Sequence, residues 1–137
     1  MKPEELQIGD WVDFYHPHEP EKGIVTRHRV TEIYECGLVG IDNHFNPVHA
    51  SHLEPIKITP EILELNGFKK DERNEKMYTW NWGVIDDCIS YDKETGIVRI
   101  FYVSGLAFKK ILMYVHQLQQ AMRLCEINKE IIVEGKE

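Results

Sequence analysis

Five short stretches with strand character crowd into the first 57 residues, and turn residues cut each one off within a handful of positions. Strands this short cannot bury an open flat sheet, whereas closing the sheet into a small barrel hides its edges and shares one core. Asp10-Trp11-Val12-Asp13-Phe14-Tyr15 alternates bulky and polar side chains, the period of a half-buried strand. His16-Pro17-His18-Glu19-Pro20-Glu21-Lys22-Gly23 reads as a polar loop, because two prolines cannot donate to a ladder. Gly23–Glu35 is β-rich, and its alternation breaks near Arg27–Val30, where a bulge or turn is expected. Cys36-Gly37 leads into Leu38–Ile41, Asp42-Asn43-His44 turns again, and Ala50–Leu53 suits one 3₁₀ turn before Glu54-Pro55-Ile56.

The chain changes character near Pro55–Thr59. Thr59 is the expected N-cap of a helix, with Pro60 at its first position and Glu61 complementing the positive helix end. Asn66-Gly67 ends that helix, and Phe68 can fold back onto Leu63 as in a Schellman motif. Met77–Trp82 places Tyr78, Trp80 and Trp82 on one face of a strand. Cys88–Tyr91 and Ile97–Val103 flank a hairpin loop at Asp92–Gly96, and Leu106–Lys110 offers a fourth strand. A helix is expected from about Ile111 to Cys125, with Ile111, Tyr114/Val115, Leu118, Ala121/Met122 and Cys125 as its apolar stripe and His116, Gln119, Gln120 and Arg123 largely outside it. Ile131–Val133 offers a last short strand. The chain therefore reads as α+β: a small β-barrel over 1–57, then an α+β unit over 58–137 made of a helix, three to four antiparallel strands and a C-terminal amphipathic helix.

The Gly-Asp-Trp-Val start and the turn into Leu-Glu-Pro-Ile resemble SH3-like small barrels, a likeness that covers about 40% of the chain. A second resemblance spans most of it. Lys2-Pro3-Glu4-Glu5-Leu6-Gln7-Ile8-Gly9-Asp10-Trp11-Val12, His52–Ile56 running into Thr59-Pro60-Glu61, and Tyr114-Val115-His116-Gln117-Leu118-Gln119-Gln120 are together similar to a group of short proteins encoded in Bacteroidales genomes and mobile elements. That resemblance implies a mobile-element context and carries no activity, cofactor or catalytic residue with it.

Composition narrows the functional classes. Sixteen Lys and Arg face 23 Asp and Glu, a net charge of −7, and residues 1–57 hold five basic and ten acidic side chains. A field of this sign disfavours nucleic acid, although Lys69-Lys70 and Lys109-Lys110 could cluster locally. No apolar run approaches the roughly 18 residues of a membrane span, and the acidic start lacks the apolar core of a secretory signal. Three widely spaced cysteines, Cys36, Cys88 and Cys125, suit reduced thiols in the cytoplasm. There is no P-loop, dinucleotide-binding or nucleophile-elbow motif, so no cofactor is indicated.

Histidine is the outlier, since six of the seven lie between His16 and His52. His16 and His18 point the same way from an extended segment, and His49 and His52 share a face of one helical turn. Imidazole pairs at these spacings can ligate a transition metal, yet they also suit surface loops. Trp11, Tyr15 and Phe45, with the His16–His18 loop, make a candidate aromatic groove for a peptide. Tyr78, Trp80 and Trp82 are either a core face or a stacking platform. His116 reads as a polar helix-border residue, and Asp86-Asp87 as a solvated turn. The leading expectation is a non-catalytic module that engages a protein partner. The alternatives are a metal-dependent enzyme using the His16–His52 cluster and an acidic regulator that occupies a basic surface of a host factor.

Overall fold

The structure, a computed structural model, describes residues 1–16, 25–82, 87–102 and 104–134. It is mixed α+β, with two antiparallel sheets of five strands each. Two compact units divide the chain. The first holds Met1–Lys57 with Tyr114–Gln120, and the second holds Ile58–Met113 with Ala121–Glu137.

In the first unit, β1 (Trp11–Tyr15), β2 (Val25–Ile33), β3 (Leu38–Ile41), β4 (Val48–His49) and β5 (Leu53–Pro55) pair in the order β4-β3-β2-β1-β5. Val12 and Phe14 face the core with Val30, Val39, Ile41, Val48 and Leu53. The broken alternation has two causes. Thr26 and His28 lie opposite Phe14 and Val12, so polar residues occupy inward positions. The register itself shifts slightly later, between Val30 and Glu32. Gly40 lies at that bulge, where a Cβ would meet Thr31 Oγ1 at 3.1 Å and Glu32 Cβ at 3.2 Å.

β5 pairs with Val12–Phe14 and ends at Pro55, so the backbone of Gly9–Trp11 lies beyond its reach. A side chain takes over there. Trp11 N–H donates to Gln119 Oε1 at 2.9 Å, and Gln119 Nε2 donates to Gly9 O at 2.9 Å. Gln120 Nε2 donates to Glu5 O and to Asp10 Oδ2, and the Asp10 carboxylate also accepts from Gln7 N–H. Asp10 is fully buried, so these donors replace the water it has lost. Gln119 is 8% exposed and His116 3%, which corrects the expectation that both lie outside the buried stripe.

Their helix, α2, runs Val115–Leu124 rather than from Ile111. Ile111 instead ends a strand, because Tyr114 caps the helix: Gln117 Oε1 accepts from Tyr114 N–H, the reaching-back half of a capping box.

The second unit starts with α1 (Pro60–Leu65). Thr59 Oγ1 accepts from Ile62 N–H, and Phe68 N–H and Gly67 N–H donate to Leu63 O and Glu64 O, so both ends close as the residues require. Gly67 supplies the left-handed turn at φ +87°. The strands β6 (Lys69–Lys70), β7 (Met77–Asn81), β8 (Cys88–Asp92), β9 (Ile97–Tyr102) and β10 (Gly105–Ile111) follow in order β10-β9-β8-β7-β6. Five strands replace the expected three to four, because Lys69–Lys70 adds a short edge. Tyr78, Ile89, Tyr91, Val98 and Ile100 form the buried face.

Ile131–Val133 is not a strand. Asn66 stands in for one, with Nδ2 donating to Ile132 O and to Ile62 O and Oδ1 accepting from Ile132 N–H. Asn66→Ala removes all three bonds at a 4% exposed position. The expected loss is about 2–4 kcal/mol in urea unfolding, against about 1–2 kcal/mol for Gly67→Ala.

Candidate functional site

The inward side of β1 does not end in an apolar lid. Beyond Phe14 the next inward position is His16, whose ring lies 4.6 Å from the Phe14 ring. His44 meets the same phenyl edge-on at 5.1 Å, and His28 lies at 6.1 Å. One phenyl ring thus holds three imidazoles. β2 brings His28 and Thr26 to this end, and the turn after β3 brings His44, with Asn43 in the left-handed region at φ 57°.

A chain of hydrogen bonds connects the polar atoms. His16 Nε2 lies 2.9 Å from Thr26 Oγ1, Thr26 Oγ1 lies 2.6 Å from His28 Nε2, and His28 Nδ1 lies 2.6 Å from Asp42 O. A carbonyl oxygen only accepts, so His28 Nδ1 carries a proton. Neutral His28 then accepts the Thr26 hydroxyl proton at Nε2, and His16 Nε2–H donates to Thr26 Oγ1. A protonated His28 reverses both bonds, because the hydroxyl can turn its single proton to His16. The chain therefore has two complementary polarities.

In the Ser-His-Asp arrangement a carboxylate holds the far nitrogen of the base and the nucleophile's hydroxyl meets one ring. Here Asp42 Oδ1 stands 3.7 Å from His28 Nδ1 and accepts instead from Arg29 N–H at 2.8 Å. The Thr26 hydroxyl is held between two rings. This geometry braces the end of the sheet.

Other expected residues are spread more widely. His49 and His52 do share the 3₁₀ turn Ala50–His52, with rings 6.3 Å apart. His18 lies outside the described residues, as does Asp86. Among the described residues no group of three or more His, Cys, Asp or Glu is placed to hold a metal ion. Trp11 lies under the Arg29 guanidinium, 4.8 Å from the ring centre. Tyr15 is 38% exposed at the strand end, and Phe45 is 99% exposed on the turn beside His44. That turn is held by His44 Nδ1, which donates to Asn46 O at 2.8 Å.

In the second unit Tyr78 is buried in the core, while Trp80 and Trp82 are half-buried and stacked on each other at 5.9 Å. Lys129 sits 4.5 Å over Trp80 and Tyr102 meets Trp82 edge-on. Tyr78 thus belongs to the core, and Trp80 and Trp82 form its half-buried margin. Sequence reasoning counted His28 and His44 in the cluster but gave them no role, and missed Thr26 and Asp42. The polar residues breaking the β2 alternation were the available signal.

His116 is a separate case. Its ring stacks on Tyr114, its buried Nδ1 has no partner among the described residues, and burial lowers its pKa below the ordinary histidine value against the opposing pull of Asp10 and Glu5. No family model, curated protein or solved structure is found to match the chain. Among the described residues no helix is long and apolar enough to cross a membrane.

Two outcomes are expected. Below the ordinary histidine pKa of about 6.5 the unfolded chain binds a proton that folded His116 resists. Stability present above that pH is therefore lost as pH falls, and His116→Leu should flatten the loss when urea midpoints at pH ~7.5 and ~5.5 are compared. In ¹⁵N NMR above neutral pH, His28 should show the Nδ1–H tautomer; the Nε2–H form would contradict the chain as drawn.

Proposed function

We propose that this chain is a non-catalytic binding module that engages a protein partner through its first unit, a small barrel of the SH3-like kind. The observation that carries the reading is Phe45. A phenyl ring 99% exposed is the kind of side chain that partners bury, and burying it is worth about 1.5–3 kcal/mol. Its turn is anchored through His44, which is bonded to Asn46 on one side and packed on Phe14 on the other. Tyr15, exposed at the end of β1, and Trp11 under the Arg29 guanidinium supply further aromatic surface on the same unit. The barrel reading is supported by the strand order β4-β3-β2-β1-β5 and by the single 3₁₀ turn between β4 and β5.

Engagement of the His16–Thr26–His28 chain in bracing supports the non-catalytic part. An exposed free thiol at Cys36 fits a reducing compartment, and the module is read as cytoplasmic. Random peptides displayed on phage and selected on the full chain should yield a consensus that binds with saturation. Phe45→Ala should weaken that peptide at least about tenfold without shifting the unfolding midpoint. Undiminished binding to Phe45→Ala would contradict the reading.

A further inference from the structure

The register of the second sheet lines up one residue from each of its five strands. Lys109 on β10 lies opposite Arg99 on β9, and Arg99 lies opposite Ser90 on β8. Ser90 lies opposite Thr79 on β7, and Thr79 opposite Lys69 on β6. Directly opposed residues of antiparallel strands share a face. The row therefore reads Lys-Arg-Ser-Thr-Lys, and the alternating positions Tyr78, Ile89, Val98 and Ile100 put the core on the other face.

Lys69 and Lys109 are exposed and Arg99 is half-buried. Arg99 and Lys109 are like charges set directly opposite each other, an unfavourable pair unless an anion sits over them. Among the described residues none of the three cations forms an ion pair within the chain. Asp92 is the carboxylate that shares the registered positions of this face. It is turned into its own hairpin, accepting from Glu94 N–H and Thr95 N–H. The neighbouring row pairs Leu106 with Phe101 and Phe101 with Cys88, so a half-buried phenyl ring lies beside the cations. Ser90, at 8% exposure, keeps the middle of the row low, and Thr79 adds a hydroxyl donor.

With strands about 4.8 Å apart, four spacings carry the row across roughly 19 Å. That span is too long for one phosphate group and suits a linear polyanion laid across the strands. We propose that this face binds single-stranded nucleic acid, with phosphates along Lys69, Thr79, Arg99 and Lys109 and a base against Phe101. An acidic peptide would satisfy the cations but leave the aromatic face without a stacking partner. The chain's charge of −7 opposes long-range attraction, so the contact is short and confined to this row.

The test is fluorescence anisotropy of the full chain with a labelled oligouridine about twelve nucleotides long, at about 50 mM salt. Saturable binding is expected, with log affinity falling against log salt at a slope of about −2 for three neutralised phosphates. The exposed double variant K69Q/K109Q, its fold checked by circular dichroism, should bind about tenfold more weakly and with a slope nearer −1. Phe101→Leu should weaken binding several-fold and leave the slope unchanged. No saturation, full affinity in K69Q/K109Q, or unchanged affinity in Phe101→Leu would overturn the proposal. So would poly-glutamate competing as well as unlabelled oligouridine, which would assign the row to an acidic polypeptide.

Discussion

A carboxylate with no access to water organises the first unit. Asp10 sits where β1 begins, fully buried, and an unpaired buried charge is among the most costly features a fold can carry. One partner is local and the other comes from far along the chain: Gln7 supplies a backbone N–H and Gln120 a side-chain amide. Gln119 completes the arrangement by pairing with the backbone on either side of Asp10, at the stretch that β5 leaves uncovered. The first six residues of α2 consequently belong to the same unit as the N-terminal strands.

The second unit repeats the device with a different residue. Asn66 offers an N–H and a C=O to the backbone of Ile132, as a strand would, while also closing the end of α1. A side-chain amide has the hydrogen-bonding pattern of a peptide group, so one Gln or Asn can finish a backbone edge without an additional strand. Both amides are buried, and both join segments distant in sequence.

Local chemistry made much of the architecture legible. The α1 caps follow from Thr59, Pro60 and Gly67, and the hairpin at Asp92–Gly96 from its own turn residues, because each signal acts within a few positions. What the sequence concealed was polar residues used as interior. Thr26, His28, His116 and Gln119 carry the pattern of solvent-facing residues, yet each faces inward for a partner that only the folded chain supplies or, for His116, for a stacked ring. For the same reason the start of α2 was misplaced: Ile111 continues the apolar spacing, and only the Gln117 bond to Tyr114 N–H shows where the helix begins. The imidazole cluster was visible as a count of histidines, whereas its order along Phe14 depended on strand register.

Amide hydrogen exchange at Trp11 tests the central claim most directly. If Gln119 completes the β1 edge, the Trp11 N–H exchanges as slowly as core amides such as Val39, and Gln119→Ala accelerates Trp11 far more than Val39. A Trp11 amide that exchanges freely in the native protein, or one indifferent to the loss of Gln119, would contradict it.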